Sequence, residues 1–419
     1  MNIDGDWMSS IGWIDFSSTD RKRVHEVLAL MKEPGTLDEL GFGQLRDAYA
    51  DTLFPGFTTV QTRARYFLAV PKIMLDWAEL PDAKRRRRPL DEYLKIAENE
   101  FARTLKTNYD AADLEPEGVI GHTVVEQGGV ARRPSSTYWN GLRVFEIVRT
   151  QSSLAEFCRY WRRDGGAQEV VSSHEGSDDA GQRFESAVRR PPGSRGDWPT
   201  GLTLKLDVDE ALFLRERFTT ARDLGDTVCA QLLSNDLAAS ALSDDHASFA
   251  AFSAWAAGQL SFSQTCRNNI AAAQRFSLAV EGAHIVFNRL IAEGIDDDRL
   301  HALCDELYAD WRATVKLAGI FHPGADLEWL SVAEAGGTRV KRRTIEFLER
   351  WNALNQAHAP KRSDLDALVR TQAVENKPAR SLLIKLPRER ADWYGMSALD
   401  YRWQTVRRML NDIVEVLPC

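Results

Sequence analysis

The chain is poor in everything that would name a reaction. Its five cysteines (158, 229, 266, 304 and 419) are odd in number and widely scattered. That excludes a dense disulfide framework and fits free buried thiols in a reducing compartment. No apolar run approaches the roughly 18 residues that a bilayer span needs. The start, Met1-Asn-Ile-Asp-Gly-Asp, lacks the basic and apolar regions of a secretory leader. A cytoplasmic protein without membrane contact is the expectation. There is no G-x-x-x-x-G-K-S/T loop, no G-x-S-x-G elbow, no kinase set, no H-E-x-x-H and no paired C-x-x-C. Walker-type ATPases, elbow hydrolases, kinases and zinc peptidases are thereby excluded. His301 and Cys304, three apart, are too few for a zinc site. Gly41-Phe-Gly43 lacks the third glycine and the preceding strand of a dinucleotide loop. No metal and no cofactor are expected.

What is present is ordinary for a globular protein. At 419 residues the chain is long enough for two or three domains. A formal net charge of −8 argues against a globally basic nucleic-acid coat, while leaving room for a local basic face. The twelve tryptophans serve a core or a partner surface.

Periodicity predicts a mainly α, multi-helix protein in two domains with few short strands. Residues 1–163 read as an N-terminal helical domain. Within it, Ile11–Phe16 is a short strand or arm, and Ser17 or Ser18 caps a helix to about Glu33. A further helix includes Leu45–Leu53. After the Pro55-Gly56 turn a helix starts at Thr58, and Pro71 should kink or end it. Lys84–Arg88 is a basic run before a polar helix at about 90–109. Residues 118–148 have a helix-turn-helix outline: a short helix at Gly121–Gln127, a Gly128-Gly129 turn, and a second helix entered at Pro134 or Ser135. Residues 164–199, rich in Gly, Ser, Asp and Pro, read as a disordered linker or long loop. Residues 200–419 read as a C-terminal helical domain. It opens with an alternating strand-like Leu202–Leu206, and a helix begins at Asp207 or Asp209. Further helices are expected at about 246–258, 265–293, 297–317, 338–355, 361–375 and 400–417.

Three groups of residues stand out. The first is Arg63, which a helical wheel places among Val60, Ala64, Phe67, Leu68 and Val70. A guanidinium in apolar surroundings must find a partner. Asp47 and Asp51, four apart on one helix face, are expected in a structural ion-pair network with Arg63, or with Arg46 or Arg65. They are also a weak catalytic candidate, since two carboxylates on one face can bind metal or do acid–base work. The second is the polar line Gln274, Ser277, Glu281, His284 and Asn288, set between apolar flanks. It reads as a hydrogen-bonded seam between helices, with Glu281 and His284 as the alternative acid–base pair. The third is the basic segment 132–163. Arg132, Arg133, Ser135, Ser136 and Arg143 surround a helix entry, where phosphate contacts are natural, so DNA or RNA is a candidate partner.

Several blocks carry a resemblance: Ile11-Gly-Trp-Ile-Asp-Phe16, Glu33-Pro-Gly-Thr36, Leu53-Phe-Pro-Gly56, Gln61-Thr-Arg-Ala-Arg-Tyr-Phe-Leu68, Arg133-Pro-Ser-Ser136 with Tyr138-Trp139, and Leu399-Asp-Tyr-Arg-Trp403. In this order, over nearly the whole chain, they resemble an uncharacterised bacterial domain-of-unknown-function family. Its members tend to be encoded near helicase, nuclease-like and other antiphage genes. The resemblance implies a role in defence against foreign DNA and no particular activity. The expectation is therefore a non-catalytic accessory component of a prokaryotic defence system that contacts nucleic acid or a partner enzyme. An enzyme of unrecognised type, or a protein-binding scaffold, are the alternatives.

Overall fold

A computed structural model gives the fold. The structure describes residues 38–127, 129–130, 132–162, 184, 187–193 and 202–417. The expectations for 11–36, and for most of 164–199, lie outside these residues. Among the described residues there are sixteen α-helices and no sheet.

The first helices are α1 (Gly43–Leu53), α2 (Tyr66–Ala78), α3 (Asp82–Arg87), α4 (Leu90–Ala111), α5 (Pro134–Val144) and α6 (Leu154–Arg162). Helix α2 packs on α4 and α5, and α6 closes against both of those. Every residue of α2 except Asp76 is buried. That uniform burial explains why Pro71 sits inside the helix rather than ending it. The missing amide costs one hydrogen bond, while packing holds the turn on all sides.

The later helices are α7 (Val208–Thr220), α8 (Val228–Ser234), α9 (Ala238–Ala241), α10 (Phe249–Ala257), α11 (Gln264–Gly294), α12 (Asp298–Leu317), α13 (Ala325–Ala335), α14 (Arg342–Gln356), α15 (Arg362–Asn376) and α16 (Trp403–Val414). Capping fixes several starts. Asp207 and Glu210 form a reciprocal capping box at α7. Ser263 and Asp297 cap α11 and α12. Helix α11 is the axis of this part, flanked by α10, α12 and α15. Early chain joins it: α1 packs on α11 and α13, and Tyr49 stacks on Phe276 at 5.1 Å. Late chain turns back, with α16 packing on α7 and α9.

Three local expectations are corrected. Gly118–Gln127 forms turns ending in a single 3-10 turn, Val125–Gln127, so no first helix precedes α5 and the helix-turn-helix outline is not formed. Gly118 and Gly121 take φ of 82° and 87°, which interrupts any helix there. Leu202–Leu206 is not a strand, although Leu202, Leu204 and Leu206 are buried in the alternation that suggested one. Among the described residues the β contact is one antiparallel bridge, Val148 to Val188. Part of 164–199 is core: Val188 is fully buried, and the Phe184 ring lies 4.7 Å from Trp161 and 5.7 Å from Trp77.

Candidate functional site

The Gln61–Leu68 block is where separate stretches of chain are tied together. Gln61 donates to the Gly56 carbonyl (3.2 Å) and Thr62 to the Gly118 carbonyl (2.7 Å). The Tyr138 hydroxyl accepts from the Thr62 and Arg63 amides and donates to the Arg63 carbonyl. The Tyr66 hydroxyl accepts from the Ile120 amide (2.8 Å). Arg63 meets Asp412 of α16, with NH2 to Oδ1 at 2.6 Å and Nε to Oδ1 at 2.8 Å, and Asp412 also accepts the Ala64 amide. Asp412 is buried, and desolvation raises its pKa against the pull of Arg63. Arg65 and Lys72 converge on buried Glu210 at 3.1 and 2.9 Å. Each charge in the block has a partner, so the block is a junction of the fold.

The expected partners of Arg63 are corrected. Asp47 pairs with its neighbour Arg46 at 2.9 Å, and Asp51 with Arg402 at 2.6 Å. Both carboxylates are more than half exposed. Arg63 lies in the turns before α2, not on a helix, which takes its side chain to α16 instead. Asp47 and Asp51 thus neither bind Arg63 nor share one pair.

The α5 entry is also corrected. Ser135 is fully buried, and its amide and hydroxyl both donate to Glu98 of α4. A carboxylate of the chain itself occupies the position where a phosphate was expected. Arg133 stands 3.9 Å from Glu98 and reaches the Asp91 carbonyl (3.3 Å). Arg143 donates to the Thr150 carbonyl (3.2 Å), and Ser136 to the Arg133 carbonyl (2.9 Å). Only Arg132 and Ser136 of the five are exposed. Glu98, with Lys95, Asn99 and Arg133, lines a cavity of about 230 Å³. Burial pushes the Glu98 carboxyl up to about 7, opposed by Ser135 and Arg133.

The basic run 84–88 is a built tip. Helix α3 stands between Pro81 and Pro89. The Trp77 indole donates to the Arg88 carbonyl (2.9 Å). Arg85 pairs with Asp82, donates to the Ala78 carbonyl (3.1 Å) and lies 5.9 Å from the Trp77 ring centroid. Anchored this way, the tip exposes Lys84, Arg86, Arg87 and Arg88. Arg133, bonded to Asp91, belongs to the same end of α4.

The polar line on α11 splits three ways. Ser277 and Asn288 hold the strap that precedes α16. The Leu399 amide donates to Ser277 (3.0 Å), the Tyr394 amide donates to Asn288 (2.7 Å), and Asn288 donates back to the Tyr394 carbonyl (3.0 Å). His284 is buried with both ring nitrogens unpartnered, edge-on to Phe42 at 5.5 Å. Desolvation lowers it to about 4, so it is neutral near pH 7. Glu281 instead lines a cavity of about 400 Å³ between α11, α12 and the strap. Burial raises its pKa. His284 does not line that cavity, so the expected Glu281–His284 acid–base pair is not assembled.

The chain belongs to DUF6361, a family of unknown function whose model matches residues 8–416. No curated protein and no solved structure matches the chain. In this DUF6361 chain no described helix is long and apolar enough to cross a membrane.

Residue patterns did not point to Asp412, Glu98, Trp311 or Trp393. Asp412 lies 349 residues from Arg63, on a helix otherwise read only by its apolar face. Glu98 hides in a polar helix. A signal existed for Trp393, an aromatic in a stretch without helical period.

Proposed function

We propose that this protein is a non-catalytic accessory component of prokaryotic antiphage defence that contacts foreign nucleic acid through the arginine tip 84–88. The observation that supports this reading is the anchoring of that tip. Trp77 and Arg85 fix α3 to the core, while four cations project from it in a chain of net charge −8. Rigid, closely spaced cations neutralise neighbouring phosphates and release counterions. Exposed Arg132 adjoins Arg133, which reaches the Asp91 carbonyl in the first turn of α4. The defence role rests on what the family resemblance implies, an association and not a mechanism. The separation of Glu281 from His284, and the pairing of Asp47 and Asp51 with arginines, favour this reading over an enzyme built on those residues.

The test is fluorescence-anisotropy binding of the full chain to labelled duplex DNA and to RNA between 50 and 200 mM salt. Four phosphate contacts predict a loss of roughly a hundredfold in affinity over that range. Neutralising Lys84, Arg86, Arg87 and Arg88 together should abolish most of the salt slope, and Arg132→Glu should weaken binding further. Absence of binding at 50 mM, or an unchanged slope in the four-fold variant, would remove the nucleic-acid reading.

A further inference from the structure

The cavity beside Glu281 brings two carboxylates and two tryptophans to one open space. Its walls carry Glu281 from α11, Asp310, Trp311 and Thr314 from α12, and Trp393 and Ser397 from the strap. Neither Glu281 nor Asp310 has a side-chain hydrogen bond or ion pair among the described residues, and no Lys, Arg or His lines the space. Such a site repels phosphates and other anions. Two aromatic walls suit a hard divalent cation poorly, since it prefers six or more oxygens. They suit an organic cation well, because the ring faces attract it and its hydrocarbon stem packs on apolar surface.

The site is pre-formed. The strap is pinned to α11 on both sides of Glu281, by Asn288 at Tyr394 and by Ser277 at Leu399. Both indole N–H groups are already spent, Trp311 on the Leu278 carbonyl (2.7 Å) and Trp393 on the Met396 carbonyl (2.9 Å). Neither indole N–H is therefore free for a ligand, and both residues line the cavity as aromatic carbon. Trp311 is seated by Gly282, where any Cβ would fall 2.3 Å from the ring. Arg312 lies 5.9 Å from the Trp311 centroid, but Asn355 and the Ala357 carbonyl hold it, and it is not part of the lining.

We propose that this cavity binds a small aliphatic ammonium ion, held by the rings of Trp311 and Trp393 and neutralised by Glu281 and Asp310. A volume near 400 Å³ fits a short alkylamine or diamine. The site is independent of the basic tip, so either can fail without the other.

Isothermal titration calorimetry of the full chain tests it. The probes are n-butylammonium, 1,5-diaminopentane and neutral 1-butanol, at matched ionic strength. Saturable binding of the ammonium probes is expected at or below about 1 mM, with 1-butanol much weaker. Glu281→Gln should weaken binding about tenfold or more, Trp393→Ala by a similar factor, and Asp310→Asn by about threefold. Glu281→Gln removes no internal partner, so it is expected to fold and keeps the test decisive if Trp393→Ala does not. The proposal is overturned if wild type shows no saturable binding by about 10 mM. It is equally overturned if butanol matches butylammonium, or if Glu281→Gln binds as wild type does. Tighter binding of Nα-acetyl-lysine methylamide than of either amine would assign the cavity to a partner's lysine and overturn a free amine as its ligand.

Discussion

Two regions of this molecule bury charge, and they do it differently. At the Gln61–Leu68 junction every charge is answered: Arg63 by Asp412, and Arg65 and Lys72 by Glu210. On α11 two titratable groups are left alone, His284 in the core and Glu281 at a cavity wall, while buried Arg289 of the same helix is answered by Asp366 and Asp305. Burial is common to both, so burial by itself does not mark function. A paired charge between distant segments is architecture, costly to break because its partner stays behind. An unpaired carboxylate facing open space has no such architectural use, which makes it the better candidate for a ligand contact.

The largest expected effect lies at the junction. Arg63→Ala strands a buried Asp412 carboxylate and should cost about 3–5 kcal/mol in urea unfolding. Adding Asp412→Asn should recover part of that loss, because a neutral amide is cheaper to bury. A loss below about 1 kcal/mol for Arg63→Ala would put this pair among surface salt bridges and dissolve the contrast.

Acidity sharpens the same comparison. Burial raises Glu98 from 4.5 to about 7, so across that window the folded state holds the extra proton and stability falls as pH rises. Burial lowers His284 from 6.5 to about 4, so there the unfolded state holds the extra proton and stability rises with pH. Each shift corresponds to about 3 kcal/mol at most. Between pH 4.5 and 6.5 the two slopes oppose and largely cancel in wild type. Glu98→Gln should unmask a stability that climbs with pH over this range. His284→Leu should unmask one that falls. Denaturation midpoints of the three proteins from pH 4.5 to 7 decide it; three parallel profiles would show that neither group is held as described. At pH 7, His284→Leu should also stabilise the protein by about 1–3 kcal/mol, since it removes unpartnered buried nitrogens.

Much of this was legible before any coordinates. The helical periods of α11, α12, α14 and α15 were plain, and Asp207 does begin α7. Arg63 announced that it needed a partner. Which partner could not be read, because Asp47 and Asp51 were near in sequence while Asp412 is near only in space. The phosphate-like entry of α5 misled for a related reason: a helix N-terminus attracts any carboxylate, and Glu98 of the same chain takes it. Helix α13 was missed because it is short and begins after Gly324 without a side-chain cap. The Glu281 cavity was half visible. The polar stripe showed one wall, but the strap that supplies Trp393 and Ser397 has no repeating pattern to read.

The smallest expected effect is also the most direct test. Urea unfolding of Glu281→Gln, run beside Arg63→Ala at pH 7, compares an unanswered, half-buried carboxylate with an answered guanidinium. Burial disfavours the charge on Glu281 and nothing in the described chain compensates it, so the glutamine variant should be at least as stable as wild type while Arg63→Ala is markedly weaker. If Glu281→Gln loses as much stability as Arg63→Ala, Glu281 is a structural anchor like the junction charges, and the distinction between the two regions is wrong.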